Sequence, residues 1–309
     1  MVTKPYDCII IGSGPAGLTA AIYSVRAGRS TLVVSGPLPG GQLMLTDLVE
    51  DYPGFPEPVK GSELMDRMRK QAENLGVKFI SGSATEVSFK EKPFVVFVDG
   101  KPVKGKTVII ASGASAKTLG IPSEWKFMGK GVSTCAVCDA FFYKGKDIVV
   151  VGGGDSAMRE ALFCSKICKT VTIIHRRDKL KAQKVLQDRA LATKNIKWLW
   201  NTEVKDFIGK DTLEAIKILN NKTGKGSTMK INGAFIAIGH RPNTDIYKGQ
   251  LELDEKGYIT VKDRTKTSIL GVFASGDVHD YMYMQAVTAA GAGCMAALDA
   301  NEFLQGEEK

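Results

Sequence analysis

The sequence predicts an α/β protein built from two Rossmann-like units, and three observations carry that expectation. An apolar run over residues 6–11 breaks into Gly12-Ser13-Gly14-Pro15-Ala16-Gly17 and passes into a helical pattern over 18–23. The same order of strand, glycine turn and helix returns later: an apolar run over 148–151, then Gly152-Gly153-Gly154-Asp155-Ser156-Ala157, then a helical pattern over 158–162. Further short apolar runs end in small residues, at Ala111-Ser112-Gly113, at 235–239 and at 271–277. One such fingerprint is weak evidence for a dinucleotide site, whereas two copies in the right context are strong evidence.

In each copy the first glycine permits the tight turn, the second lets backbone approach a pyrophosphate, and the last small residue lets helix pack on strand. The amides at the start of each helix then face the phosphates. The copies differ where selectivity resides, at the end of the following strand. The first has Ser35, where the general pattern has an acid for a ribose hydroxyl. At the same distance the second has His175-Arg176-Arg177, with Lys181 following. Such a cluster suits a ribose 2′-phosphate, held by charge-assisted and bidentate bonds. At roughly 1.5–3 kcal/mol each, two or three contacts give a preference of roughly 100-fold or more. The second site therefore reads as one for NADPH rather than NADH; the plain alternative is a solvated basic turn.

Ahead of the second fingerprint stands Cys135-Ala136-Val137-Cys138-Asp139. Two cysteines at this spacing can close a small disulfide, and Asp139 can move the proton that thiol–disulfide exchange needs. Half a zinc site is the other chemistry such a pair serves, but no second pair or paired histidines follow at finger-like spacing, so no metal is expected. Inert thiols are the remaining alternative. Near the end, Gly276-Asp277 closes an apolar strand and puts a carboxylate where it can accept hydrogen bonds from a polyol, ahead of a helical pattern over 285–304. Cys8, Cys164, Cys168 and Cys294 read as small buried hydrophobes, with a second relay through Cys164 and Cys168, one helical turn apart, as the alternative.

The bulk numbers fit this plan. With 309 residues, 44% hydrophobic and 24% charged, the chain is long enough for two cores. Its formal charge of +9 is spread along the length without the long basic run of a nucleic-acid arm, and it can steer anionic partners. Six irregularly placed cysteines without a signal peptide point to a reducing cytoplasm. No charge-free apolar stretch approaches a membrane span, so no membrane role is expected.

Taken in order, GSGPAG, GGQL, ASGASAK, CAVCDA, GGGDSA, HRR, AIGHRPN and ASGDVHD closely resemble the motifs of the low-molecular-weight thioredoxin reductases, which are two-domain pyridine nucleotide-disulfide oxidoreductases. The likeness runs over nearly the whole chain. It implies three-layer ββα domains: a discontinuous FAD domain, residues 1–115 with 245–309, and an inserted NADPH domain, 116–244, carrying the cysteine pair. It implies FAD against Gly12, Ser13, Gly14, Pro15, Ala16, Gly41, Gln42, Ala111, Gly113, Gly276, Asp277, Gln285 and Ala286. NADPH is implied against Gly152, Gly154, Asp155, Ser156, Ala157, His175, Arg176, Arg177 and Lys181. The resemblance further implies electrons passing from NADPH through FAD to Cys135–Cys138, with Cys138 nearest the flavin, Cys135 attacking the substrate disulfide and Asp139 as acid or base. Thioredoxin or a glutaredoxin-like protein is the implied partner, and a homodimer the implied assembly. Because both donors share one flavin face, the inserted domain is expected to swivel about 114–120 and 241–245. The chain departs from the family with Lys181 and Met284 where arginine is usual and Ala140 where glycine is usual. Lys181 and Met284 motivate one alternative, the same chemistry fed by NADH, ferredoxin or a deazaflavin; a second is a ferredoxin-NADP reductase-like flavoprotein that shares the two-domain plan without a working dithiol, and a third a flavin-bearing interaction or sensor protein.

Overall fold

A computed structural model describes residues 4–308. The chain divides into two compact units, one running to Ser115 and resuming at Arg241, the other spanning Ala116–His240. Among the described residues no helix is long and apolar enough to cross a membrane.

The first unit is organised by the strand Tyr6–Ile11, whose last four residues are buried. It lies between Thr31–Val34 and Lys101–Ile110, both parallel to it. Lys78–Ile80 extends the sheet beyond Thr31–Val34, and Val272–Ala274 pairs in parallel with the end of Lys101–Ile110. The start of that long strand instead pairs antiparallel with Phe94–Val98, which continues to Ala84–Ser88. Alternation along the strands separates two cores, as the two-residue period requires. Cys8, Ile10, Val33, Ile109 and Phe273 face the helices Pro15–Arg26 and Ala286–Glu307. Ile9, Ile11, Val34, Val108 and Ile110 face Val87, Phe94, Val96 and Tyr247 on the other side. The result is helix layer, parallel sheet and antiparallel sheet.

Two features draw the helical layer tight. The helix Ala286–Glu307 buries Ala289, Ala292, Gly293, Ala296 and Ala300, and a Cβ on Gly293 would lie 2.1 Å from the Ala16 carbonyl oxygen. The helix Gly61–Asn74 buries Leu64, Met65, Met68 and Ala72, an apolar stripe at helical spacing that packs on Leu18, Val49 and Val59.

The second unit repeats the plan. Its parallel sheet runs Val132–Ser133, Gly233–Ile236, Asp147–Val151, Thr170–His175, Ile196–Trp200. Ile148, Val150, Ile173 and Phe235 face the helix Asp155–Cys164, while Val149, Val151, Ile174 and Ile236 face Val204, Phe207 and Ile216 of an antiparallel three-stranded sheet. The three-layer ββα expectation thus describes each unit.

The second crossing between units falls at His240, earlier than the 244/245 boundary expected from the sequence. Asn243 explains the shift. Its amide nitrogen donates to the Ser112 carbonyl, its backbone N–H to the Gly113 carbonyl, and its side-chain oxygen accepts from Ser115, all at 2.9–3.0 Å. The connecting strands Ala114–Ala116 and His240–Pro242 pair with each other.

Candidate functional site

In the first unit the glycine turn follows directly from the end of Tyr6–Ile11. Gly12 has φ +115°, and a Cβ there would lie 2.2 Å from the Ala111 carbonyl oxygen, so no other residue fits. A Cβ on Gly17 would lie 1.9 Å from the Gly12 oxygen, which seats the helix starting at Pro15 on the strand end. Gly14 meets nothing closer than 4.0 Å. The turn that needs glycine for its own geometry is therefore Gly12, while Gly14 leaves its face open to a ligand.

Other predicted residues converge on this turn from distant parts of the chain. Ser13 donates to the Ser35 carbonyl at 2.7 Å and accepts from the Gly40 N–H at 3.1 Å. That bond brings the loop holding Gly41 and Gln42 alongside, and a Cβ on Gly41 would lie 3.2 Å from the Gly14 Cα. Gln42 is exposed at the start of the same short helix. Gly276, at φ +73°, packs against Ala16 and Ala289 and so delivers Asp277 beside the start of the helix that Gln285 precedes and Ala286 opens. Gly113, at φ +66°, has open space around it. A cavity of about 230 Å³ adjoins the turn, lined by Ser13, Pro39, Gly40, Met65, Asp66 and Arg69 among others; the sequence reading did not single out its Asp66 and Arg69.

The polar groups here fit a ligand bearing phosphates and hydroxyls. Among the described residues the Ser35 and Ser275 hydroxyls are buried and find no hydrogen-bond partner. Burial, with Asp280 adding repulsion, raises the Asp277 carboxyl from its ordinary 3.8 to about 7. Such a carboxyl gains from donors brought by a polyol, and the start of the Ala286–Glu307 helix favours negative charge nearby. FAD is a molecule of this kind.

The second unit has the same device with different surroundings. Gly152 has φ +156°, its Cβ position 2.3 Å from the Ala237 oxygen and 2.8 Å from the Ala157 Cβ, while Gly154 faces open space. Asp155 opens the helix and its carboxylate accepts from the Gln183 N–H at 2.7 Å; Ser156 follows it, exposed. The Lys181 N–H donates to the Gly153 oxygen at 2.8 Å, which pins the basic loop against the glycine turn. Arg177 and Lys181 make no ion pair among the described residues, and Arg176 is exposed beside them. Those three cations remain available to a phosphate.

His175 sits differently from the other members of the cluster. It is 9% exposed, and its ring fills the space over Gly153, where a Cβ would lie 2.2 Å from it. Its Nε2–H donates to the Lys179 carbonyl at 3.0 Å. Burial holds the imidazole below its usual range, with Arg177 and Arg176 adding to the effect. At neutral pH it is a neutral wedge that shapes the loop, and the positive charge belongs to its neighbours.

Cys135 and Cys138 form a disulfide with Cα atoms 5.4 Å apart. Cys135 precedes the short helix Ala136–Asp139, and its sulfur accepts from the Cys138 N–H at 3.2 Å. Asp139 ends that helix and its backbone N–H donates to the Cys135 oxygen. Tyr143 lies near enough that the Asp139 charge, after burial, helps push its phenol up to about 12. Sequence reasoning also passed over Glu160, whose carboxyl burial lifts to about 8, and Glu124, fully buried and accepting from the Leu119 N–H at 2.8 Å.

Comparison with known proteins identifies the family. A family model described as pyridine nucleotide-disulphide oxidoreductase matches residues 6–293. The thioredoxin reductase of Rickettsia conorii is 49% identical over 301 residues, covering 96% of this chain and 97% of the relative. That of Streptomyces coelicolor is 48% identical, covering 96% and 94%. The crystal structure of thioredoxin reductase from Streptococcus pyogenes aligns with TM-score 0.93 at 40% identity, covering 97% of this chain and 98% of that one. With two glycine turns and a cysteine disulfide in one chain, and a family match spanning all three, the chain belongs to the pyridine nucleotide-disulphide oxidoreductases.

Proposed function

We propose that this protein reduces the disulfide of thioredoxin, drawing electrons from NADPH through FAD and the Cys135–Cys138 pair. The observation that carries the reading is that pair, closed as a disulfide in a unit that also holds an open glycine turn and unpaired cations. FAD would lie against Gly12–Ala16, Gly41, Gln42, Ala111, Gly113, Gly276, Asp277, Gln285 and Ala286. NADPH would lie against Gly152, Gly154 and Asp155–Ala157, with Arg176, Arg177 and Lys181 on its 2′-phosphate. When bound, the two groups supply a hydride from nicotinamide and an electron pair from flavin.

The chain's own residues do the rest. The electron pair breaks the S–S bond, and one proton delivered through Asp139 leaves Cys138 a thiol and Cys135 a thiolate. Cys135 attacks one sulfur of the partner's disulfide and the partner's other sulfur leaves with a proton. Cys138 then gives up its proton through Asp139 and attacks Cys135 in the mixed disulfide; the partner's sulfur leaves and takes that proton, which releases reduced partner and restores the pair. A homodimer is part of this reading, as is selection of NADPH over NADH, ferredoxin or a deazaflavin.

An anaerobic titration tests the path. Flavin absorbance should bleach with NADPH far more readily than with NADH, and oxidised thioredoxin should restore it. The variant Cys138→Ser should keep its flavin and its bleaching by NADPH but lose thioredoxin reduction. Flavin that stays oxidised with both nucleotides would overturn the donor assignment, and a Cys138→Ser variant that still reduces thioredoxin would overturn the dithiol step.

A further inference from the structure

Cys164 and Cys168 take no part in the chemistry above, yet they are not independent buried thiols. Cys164 ends the helix Asp155–Cys164, and the Cys168 N–H donates to the Cys164 carbonyl at 2.7 Å. One helical turn separates their Cα atoms by about 6 Å, within the range of about 4.4–6.8 Å that a disulfide spans. Both cysteines are free, and their thiols share a hydrogen bond.

The turn between them is pinned from three sides. The Ile167 oxygen accepts from the Gly145 N–H at 3.0 Å, the Lys169 N–H donates to the Lys146 oxygen at 2.9 Å, and the Asn195 amide donates to the Ser165 oxygen at 2.8 Å. The two cysteines are thus held one turn apart by backbone bonds, and the hydrogen bond between their thiols brings the sulfurs together. One turn before Cys164 stands Glu160, with a carboxyl oxygen that is buried and finds no partner among the described residues.

We propose that Cys164 and Cys168 are a second oxidisable dithiol, which takes a small hydroperoxide as oxidant and closes to a disulfide. The shared hydrogen bond favours the thiolate at Cys168, with Cys164 as the donor. The Cys168 sulfur attacks the peroxide oxygen, the O–O bond breaks, and hydroxide leaves and takes a proton to become water. The Cys168 sulfenic acid then meets the Cys164 thiol, the S–S bond forms, and a second water departs with the thiol proton. In sum two thiols and one hydrogen peroxide give one disulfide and two waters. With Cys168 5% exposed and Cys164 fully buried, only an oxidant of this size reaches the pair. Cys8 offers the contrast: it is 1% exposed, its thiol is raised by burial to about 11, and no second cysteine is beside it.

The test uses the full-length flavoprotein with Cys135–Cys138 oxidised, treated with hydrogen peroxide, alkylated and digested by trypsin without reduction. Cleavage after Arg159, Lys166 and Lys169 separates the two cysteines, so oxidation is read as residues 160–166 and 167–169 joined in one species two hydrogens lighter than the sum of the free peptides, and parted by dithiothreitol. In Cys164→Ser, Cys168 should stop at sulfenic acid and label with a dimedone reagent several-fold more than Cys8. Recovery of both peptides separately and alkylated would overturn the proposal, as would labelling of Cys168 no greater than that of Cys8.

Discussion

Asp277→Asn is the perturbation with the sharpest consequence, because one buried carboxyl is asked to serve both stability and ligand binding. Its folded value of about 7 lies about three pH units above its ordinary 3.8. A raised acid favours the folded state at low pH and loses that advantage as pH rises from about 4 through about 7. At 1.36 kcal/mol per unit the loss is about 4 kcal/mol for a fully dry site. The residue is partly open, and solvent screening brings the expected figure to about 2 kcal/mol. Flavin-free Asp277→Asn should therefore be more stable than the parent at pH 8 and equal to it near pH 4.

Binding should show the opposite sign. A polyol donates hydrogen bonds best to the ionised carboxylate, so flavin binding releases a proton around neutrality and affinity rises with pH. For a single group titrating at about 7, the ionised fraction grows about tenfold between pH 6 and 8. Quenching of FAD fluorescence by flavin-free protein at several pH values measures this directly. The parent should tighten about tenfold across that range, whereas Asp277→Asn should bind more weakly at pH 8 with no pH trend. A variant with the parent's affinity and slope would refute the assignment of Asp277 to the polyol, and unchanged pH-stability curves would refute its burial cost.

Removing Arg177 and Lys181 together should cost roughly 100-fold in NADPH affinity by the loss of two charge-assisted bonds, with NADH affinity nearly unchanged; steady-state KM values for the two nucleotides report it. Gly153→Ala forces the His175 ring off its seat and breaks the bond to the Lys179 oxygen. Nucleotide affinity should fall about tenfold, the equivalent of one modest hydrogen bond, while flavin content holds. Gly293→Ala puts a methyl 2.1 Å from the Ala16 oxygen and should destabilise by about 1–3 kcal/mol through overpacking. Gly291→Ala, with open space around it, should instead stabilise by up to about 1 kcal/mol; thermal unfolding of the pair separates clash from helix propensity.

Much of the fold was legible because its signals are local. Two glycine turns following apolar runs announce parallel strands and helices, and the residues that alternate along Tyr6–Ile11 and Asp147–Val151 sort themselves onto two cores. What was not legible depends on long-range pairing. The outermost strand of the second sheet, Val132–Ser133, is two residues long and carries no period; it exists because Gly233–Ile236 offers a free edge and the Ala234 N–H reaches the Gly131 oxygen at 2.8 Å. The domain crossing at His240 likewise depends on where Asn243 finds its three partners.

For the site, legibility follows the kind of constraint. Where a position must be small, as at Gly12 against the Ala111 oxygen or Gly152 against the Ala237 oxygen, the requirement is absolute and the sequence carries it openly. Where a role depends on burial, residue type says little. His175 stands in a run of cations and is nevertheless the neutral member, because Gly153 leaves room for its ring and Lys179 turns a carbonyl toward it. Asp277 and Glu160 are carboxyls in ordinary helical or turn contexts, yet desolvation lifts one to about 7 and the other to about 8. Asp277 was found from its place at a strand end, whereas Glu160 sits inside a helix where nothing in the local pattern distinguishes it. The protonation of Glu160 is thus set by tertiary packing alone, which no local pattern announces.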